Sequence, residues 1–377
     1  MSISIKGIGL VTALGDGKEE NTSALKLGES AIEKNAGYEF PVALIPIDNL
    51  AETEPKAARL MGMALKQAME EAGPWERDER VGIIVGTTTA GMDVAERYIK
   101  KYVSGQHEHL NHARFLTPYL LGYCTHLLSK EMGDNISVMT VSTACSSSAN
   151  AISLAMDALM ADDLDLVFAV GAEALTELTV NGFASLQLLS GQRSVPFSKS
   201  AKGINLGEAA AAIALRKGRG GYGNILGVGH SSDAYHLTAP LPDGKEFVAA
   251  MAKACEEAGV RKSDIDYVNA HGTGTALNDS AETRAFKTFF GEDRWPVITS
   301  TKSLTGHCLG AAGLVELSFT ALGLHHRFFP MGAPVSEPID PLVREPGNGE
   351  VMRIALSNSF GFGGNNTSIL ISSGDYE

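Results

Sequence analysis

The sequence predicts an α/β protein of mainly parallel sheets with helices on their faces, and three observations carry that expectation. Short apolar runs alternate with longer helical patterns along the 377 residues, which is the signature of strands joined by crossover helices. One of the helical patterns, 146–161 (SSSANAISLAMDALMA), has Asp157 as its one charge and small or apolar residues all round, so it is a buried central helix and not a surface one. A polar, glycine-rich break at 216–223 (RKGRGGYG) separates two stretches with a similar plan.

In chain order, the strand-like runs are 81–86 (VGIIVG), 136–142 (ISVMTVS), 164–171 (LDLVFAVG), 209–215, 265–270 (IDYVNA), 297–300, 354–357 and 367–372. Several are apolar throughout, as strands covered on both faces are. Helical patterns occupy 56–72, 146–161, 246–258, 280–290 and 311–324. On either side of the 216–223 break a strand leads to a reactive residue and then to a helix. The expectation is therefore a duplicated chain, with one half at 1–218 and the other at 219–377.

Composition narrows the function. Hydrophobic residues make up 44% and charged residues 20%, which excludes a disordered chain. The net charge of -13 and the 7% aromatic content make nucleic acid and anionic membranes poor partners. No apolar run approaches the roughly 18 residues that span a bilayer. The start, MSISIKGIGLVTALG, lacks a signal-peptide pattern. Cys124, Cys145, Cys255 and Cys308 form no CxxC pair. The expectation is a cytoplasmic protein with free thiols.

Four loops carry the chemistry. In 141–149 (VSTACSSSA), Cys145 follows a strand and opens the buried helix. That is a strand–turn–helix elbow with Cys as nucleophile. The helix N-terminus is expected to lower its pKa and to hold an oxyanion. In 269–279 (NAHGTGTALND), His271 ends a strand; in 300–313 (STKSLTGHCLGAAG), His307 precedes a small-residue helix, with Lys302 and Glu316 to either side. In 357–366 (SNSFGFGGNN), Phe360 and Phe362 interleave with Gly361, Gly363 and Gly364 between two strands. That loop leads into a strand and not a helix, so a dinucleotide cradle is a poor reading. A lone Cys among small residues is usually a packed thiol, and a lone His is usually structural. Four such loops at strand ends, however, converge on one crevice in this kind of sheet.

Those four motifs, together with the opening IKGIGLVTALG, resemble the elongating, decarboxylating β-ketoacyl-acyl carrier protein synthases over essentially the whole chain. The resemblance implies the thiolase fold, two duplicated halves in five αβαβα layers, usually paired as dimers. It implies acyl transfer to Cys145, then decarboxylation of a malonyl unit with His271 and His307 donating to its thioester oxygen. By the same resemblance Lys302 tunes His307 and Glu316, and Asp279 and Glu282 support the first His loop. Residue by residue, the latter two also read as a helix N-cap and a first-turn acid. Thr273 and Thr275 would bind the pantetheine arm. Phe362, with Phe360, Gly361 and Gly363, would form the gate and the second oxyanion donor.

No cofactor and no metal are implied. The partners implied are an acyl carrier protein bearing acyl or malonyl phosphopantetheine, and a second ketosynthase-like chain as homodimer or heterodimer. Ser198 and Ala201 stand where the family usually has Asp and Arg, which bears on docking and chain length. His307 separates the chain from thiolases, which carry Cys there, and from initiating synthases, which carry Asn. Cys145 separates it from the silent chain-length subunits. An acidic carrier needs local cations; candidates are Lys56, Arg59 and Lys66 on one helix, with Arg114, Lys199 and Lys202 elsewhere.

Overall fold

The computed structural model describes residues 2–106, 112–133, 136–291, 294–340, 346–347 and 349–376. The strands are β1 (Ile3–Thr12), β2 (Gly15–Asp16), β3 (Val81–Gly86), β4 (Ile136–Val141), β5 (Leu166–Glu173), β6 (Ala209–Lys217), β7 (Asn224–Ser232), β8 (Tyr267–Asn269), β9 (Val297–Thr299), β10 (Ile354–Gly361) and β11 (Asn365–Ser372). The α-helices are α1 (Lys18–Leu27), α2 (Lys56–Ala72), α3 (Met92–Val103), α4 (His112–Leu116), α5 (Gly122–Met132) and α6 (Ser147–Met160). They continue as α7 (Glu177–Ser185), α8 (Lys245–Ala258), α9 (Ala276–Phe290), α10 (Lys302–Thr305) and α11 (Ala312–His326).

The strands order as β4-β3-β5-β6-β1-β7-β11-β10-β8-β9, with β2 paired to β1. Read inward from each edge, the two halves correspond strand for strand. The outer pairs β4–β3 and β3–β5 are parallel, as are β9–β8 and β8–β10. The inner pairs are antiparallel on both sides. The halves join through two residue pairs, Ile3↔Ile225 and Ser4↔Asn224. The structure thus has one continuous sheet whose halves face each other.

Side-chain alternation then builds the layers. On β5, Val167 and Ala169 point into a central core with α6 and α11, while Leu166, Phe168 and Val170 point outward against α2. On β11, Ile369 and Ile371 point inward and Leu370 packs outward with α8 and α9 residues. The result is five layers, αβαβα. The central layer is α6 and α11, and Ala312–Leu324 is buried at every position.

The two middle strands carry a shared device. A Cβ on Gly7 or Gly9 of β1 would strike the Ala68 or Ala64 carbonyl of α2, and on Gly227 or Gly229 of β7 the Ala254 or Ala250 carbonyl of α8. Glycine is required there for close helix approach. KGIGL and LGVGH therefore match at residue level, a repeat that the sequence reading missed because glycines in an apolar run read as turns.

Candidate active site

The mirrored topology brings the ends of β4, β8, β9 and β10 to one cavity of about 320 Å³, lined by Cys145, His271, His307, Thr273, Thr275, Phe360 and Phe362 among others. The local reasons differ at each strand end.

At the first, Ala144 takes a left-handed φ of 53°, which costs a non-glycine residue about 1 kcal/mol and must be held by its surroundings. The serines after Cys145 hold it. Thr143 N–H donates to Ser147 Oγ at 2.9 Å, and Ser147 Oγ donates to the Ala144 carbonyl at 2.6 Å. Ser146 Oγ donates to the Thr143 carbonyl at 2.8 Å. Ser148 Oγ accepts the Leu314 N–H at 3.0 Å and so ties α6 to α11.

At the second, Glu282 accepts the backbone N–H groups of His271 and Gly272, both at 2.8 Å. Asp279 accepts from Phe197 N–H at 2.7 Å and Gly274 N–H at 3.1 Å. The helix begins at Ala276, one turn earlier than the 280–290 pattern suggests, and Thr275 is its N-cap. Asp279 is thus the first-turn acid and not the cap, Glu282 lies one turn further into the helix, and both clamp loops. Thr273 and Thr275 hydroxyls lie 2.8 Å apart on the cavity wall.

At the third, Lys302 and Glu316 form a buried ion pair at 2.5 Å. Cys308 packs away from the cavity, its thiol facing the carbonyls of Glu208, Thr305 and Gly306.

At the fourth, the turn Phe362–Gly364 carries φ of 78° at Gly363 and 79° at Gly364. A Cβ on Gly364 would collide with the Asp233 carboxylate. Gly361 has φ of -92°, so its role is close approach to Cys145 N and the Thr143 carbonyl, not backbone freedom. Phe362 stacks on Phe183 at 5.7 Å. Phe360, by contrast, stacks on Phe247 at 3.9 Å and is buried in β10, where it packs the cavity wall.

His307 Nε2 lies 3.0 Å from Cys145 Sγ, and the His271 and His307 rings are 5.5 Å apart at 85°. Burial holds both imidazoles well below the usual histidine range, helped by the charge of Lys302 and, for His271, by His307. Both are therefore neutral. Burial likewise pushes the Cys145 thiol up to about 11, outweighing the Phe362 N–H and Lys302. The sequence expectation of a lowered thiol pKa fails on this point, because the site excludes the water that would solvate a thiolate. Glu282 and Glu316 are raised to about 7 and Asp279 to about 6, all by burial first.

Each Nδ1 of the two histidines lacks a hydrogen-bond partner among the described residues. The Cys145, His271 and His307 donor atoms lie within 4.8 Å of one another, a spacing that suits a divalent cation. The ammonium of Lys302, whose charge reaches both rings, opposes one.

Of the candidate docking cations, Lys56 is paired with buried Glu208 at 2.5 Å and Arg59 with Glu54 at 2.6 Å. Lys56 is thus an internal tie. Lys66 is exposed, Lys199 and Arg114 are exposed on other segments, and Lys202 is exposed at the cavity wall beside Ala201. Ser198 is buried, its hydroxyl 2.8 Å from Ser200.

Known proteins carry the same arrangement. Residues 45–219 match the model of the beta-ketoacyl synthase N-terminal domain and residues 222–335 that of the C-terminal domain. The chain is 30% identical over 409 residues to the 3-oxoacyl-[acyl-carrier-protein] synthase 2 of Coxiella burnetii, covering 98% of each chain. It is also 30% identical over 432 residues to the mitochondrial 3-oxoacyl-[acyl-carrier-protein] synthase of Arabidopsis thaliana, covering 98% of this chain and 93% of the relative. Among solved structures, it resembles a chain of the ketosynthase–chain length factor complex of Xenorhabdus doucetiae with TM-score 0.87, 33% identity and coverage of 99% and 98%. The ishigamide ketosynthase/chain length factor matches with TM-score 0.90, 26% identity and coverage of 100% and 99%. With both family domains matched in order and whole-length relatives at this identity, the chain belongs to the β-ketoacyl synthase family.

Proposed function

We propose that the protein is an acyltransferase that condenses an acyl group, held as a thioester on Cys145, with a malonyl unit on an acyl carrier protein. The products are a 3-oxoacyl thioester and CO2. The observation that carries the reading is the 3.0 Å contact between His307 Nε2 and Cys145 Sγ, with His271 beside it in a water-poor cavity. The names of the full-length relatives support the same reaction.

In the first half-reaction the neutral thiol needs a proton acceptor, and His307 Nε2 lies in line for it. As sulfur attacks the acyl carbon, the proton passes to His307 and then to the departing pantetheine thiol. The N–H groups of Cys145 and Phe362 both face the sulfur and are the donors for the tetrahedral oxyanion. In the second half-reaction the neutral rings of His271 and His307, now in their Nε2–H forms, donate to the malonyl thioester oxygen. The C–C bond to the carboxylate breaks and CO2 leaves. The enolate carbon then attacks the Cys145 thioester and frees the sulfur as a thiolate, which takes up one proton from solvent, the one proton the condensation consumes.

Lys302 and Glu316 set the electrostatics of His307. Thr273 and Thr275 line the pantetheine path. Phe362 gates malonyl entry on the Gly363–Gly364 hinge.

A silent chain-length subunit is not favoured, because the nucleophile and both imidazoles are present and assembled. The protein works with a second ketosynthase-like chain, its own copy or a chain-length subunit. Support comes from the open edge strand β4, where Val138 and Met139 are 43% and 50% exposed. The four free thiols and the absence of a membrane-spanning helix among the described residues support a cytoplasmic setting. The functional halves divide at 218/219.

The test is intact mass spectrometry after incubation with a panel of acyl carrier thioesters, followed by malonyl carrier. The expected result is one acyl adduct on Cys145, discharged with CO2 release. No adduct with any acyl group overturns the reading.

A further inference from the structure

We propose that Asn150 and Thr367 are positioning residues that lock the Cys145 elbow to the strand behind the Phe362 turn, and so fix the distance between the two oxyanion donors. The inference rests on the condensing activity proposed above.

The bonds form a continuous path between the two halves. Thr143, two residues before Cys145, accepts from Asn150 Nδ2 at 2.7 Å and Ser146 Oγ at 3.1 Å on its hydroxyl oxygen. Asn150 Oδ1 accepts the Thr367 hydroxyl at 2.8 Å. Thr367 is buried on β11 three residues beyond Gly364, and its Oγ1 lies 3.2 Å from His230 Nδ1. His230 sits across the β7–β11 ladder from Thr367, and its Nε2 lies 2.8 Å from Ser153 Oγ on α6. The path therefore leaves α6 at Asn150, crosses two strands of the second half and returns to α6 at Ser153, one turn on.

The two ends of this ring are the two parts of the oxyanion site. One is the elbow with its left-handed Ala144, which nothing in its own backbone preference favours. The other is the strand that continues from the Phe362 turn. The N–H donors belong to one end each. An error of about 1 Å between such donors and the reacting atom can cost ~10²-fold in rate. Alkylation of the sulfur develops no oxyanion, so those N–H groups bear on it only through the thiolate fraction and less steeply. The geometry thus separates two reactions of one sulfur.

The experiment compares Asn150→Ala, Thr367→Val, their double variant and Thr367→Ser. Each is assayed for the rate of Cys145 acylation by a short acyl-N-acetylcysteamine thioester, for the rate of Cys145 alkylation by iodoacetamide, and for melting temperature. The expected result is acylation slowed about tenfold or more in both single variants, chiefly in kcat. Alkylation stays within about twofold of the parent, the double variant is no slower than the slower single one, and Thr367→Ser acylates at close to the parent rate. Parent-like acylation in either single variant overturns the proposal. So does a parallel fall in acylation and alkylation, which would mark general loosening. A parent enzyme that no acyl thioester acylates would instead sink the condensing reading, and that outcome is seen before any variant is made.

Discussion

The outermost strands of the two halves occupy matching positions, yet one is open and the other closed. On β4, Val138 and Met139 are 43% and 50% exposed; on β9, Val297 and Ile298 are 0% and 1% exposed. The helices they feed differ in the same sense: α6 leaves Asp157 in solvent, whereas α11 is buried from Ala312 to Leu324. An unpaired edge with exposed apolar residues is a liability unless something covers it. The duplicated plan has thus been put to two uses. The first half presents Cys145 at the end of a strand whose apolar edge is exposed. The second half encloses the Lys302–Glu316 ion pair and the neutral His307 in a closed core.

The largest test of this division is Cys145→Ala. It should reduce acyl adduct formation, read by intact mass, to background. Melting should stay close to the parent, since alanine suits the small-residue elbow. Next, the two histidines should separate. His307→Ala should slow acylation as well as decarboxylation, because only His307 touches the sulfur. His271→Ala should spare acylation and lower decarboxylation ~10²–10³-fold. Equal losses in both half-reactions for both variants would erase the distinction.

Smaller effects probe the supports. Gly364→Ala forces a Cβ into the Asp233 carboxylate at a φ of 79°. It should lower kcat for condensation more than the rate of acylation, measured by single-turnover quench. Glu282→Gln should destabilise by about 1–3 kcal/mol, because an amide cannot accept both N–H groups as a carboxylate does. Its pH dependence has a definite sign. A folded pKa raised to about 7 means that the native state holds the proton longer than the unfolded chain. That contribution to stability is complete below the unfolded carboxylate pKa and is lost as pH rises through about 7. Melting curves between about pH 4.5 and 7 should show a shallower decline in Glu282→Gln than in the parent. The smallest effect is at the surface. Lys202→Glu at the cavity mouth should raise KM for carrier-bound substrate several-fold at low salt and less at high salt. Lys56→Glu should instead destabilise the fold, by leaving Glu208 unpaired.

How much of this was legible follows from what is local. The runs at 81–86 and 209–215 and the helix at 56–72 read correctly because each element's own pattern fixes it. Cys145, His271 and His307 stood out because reactive side chains at strand ends are a local signal too. The strands β1 and β7 were overlooked, since their glycines answer to α2 and α8, which lie far away in sequence. The continuity of the sheet rests on two residue pairs more than 200 positions apart, and no local pattern encodes that. The thiol pKa was misjudged for a related reason: a helix N-terminus is visible in sequence, but the burial that outweighs it is a property of the assembled fold.

The shared central layer has a consequence for how the chain comes into being. The inner faces of β1, β5 and β6 are completed by α11, which follows all three in the chain. Until the ribosome has released it, the finished first half carries a large uncovered apolar wall. Such a wall invites aggregation, and the expected outcome is that the first half does not fold stably without the second. The two halves produced as separate polypeptides should each be insoluble and become soluble when made together. A point substitution in α11, even one far from Cys145, should be felt first as lost yield and only afterwards as lost rate.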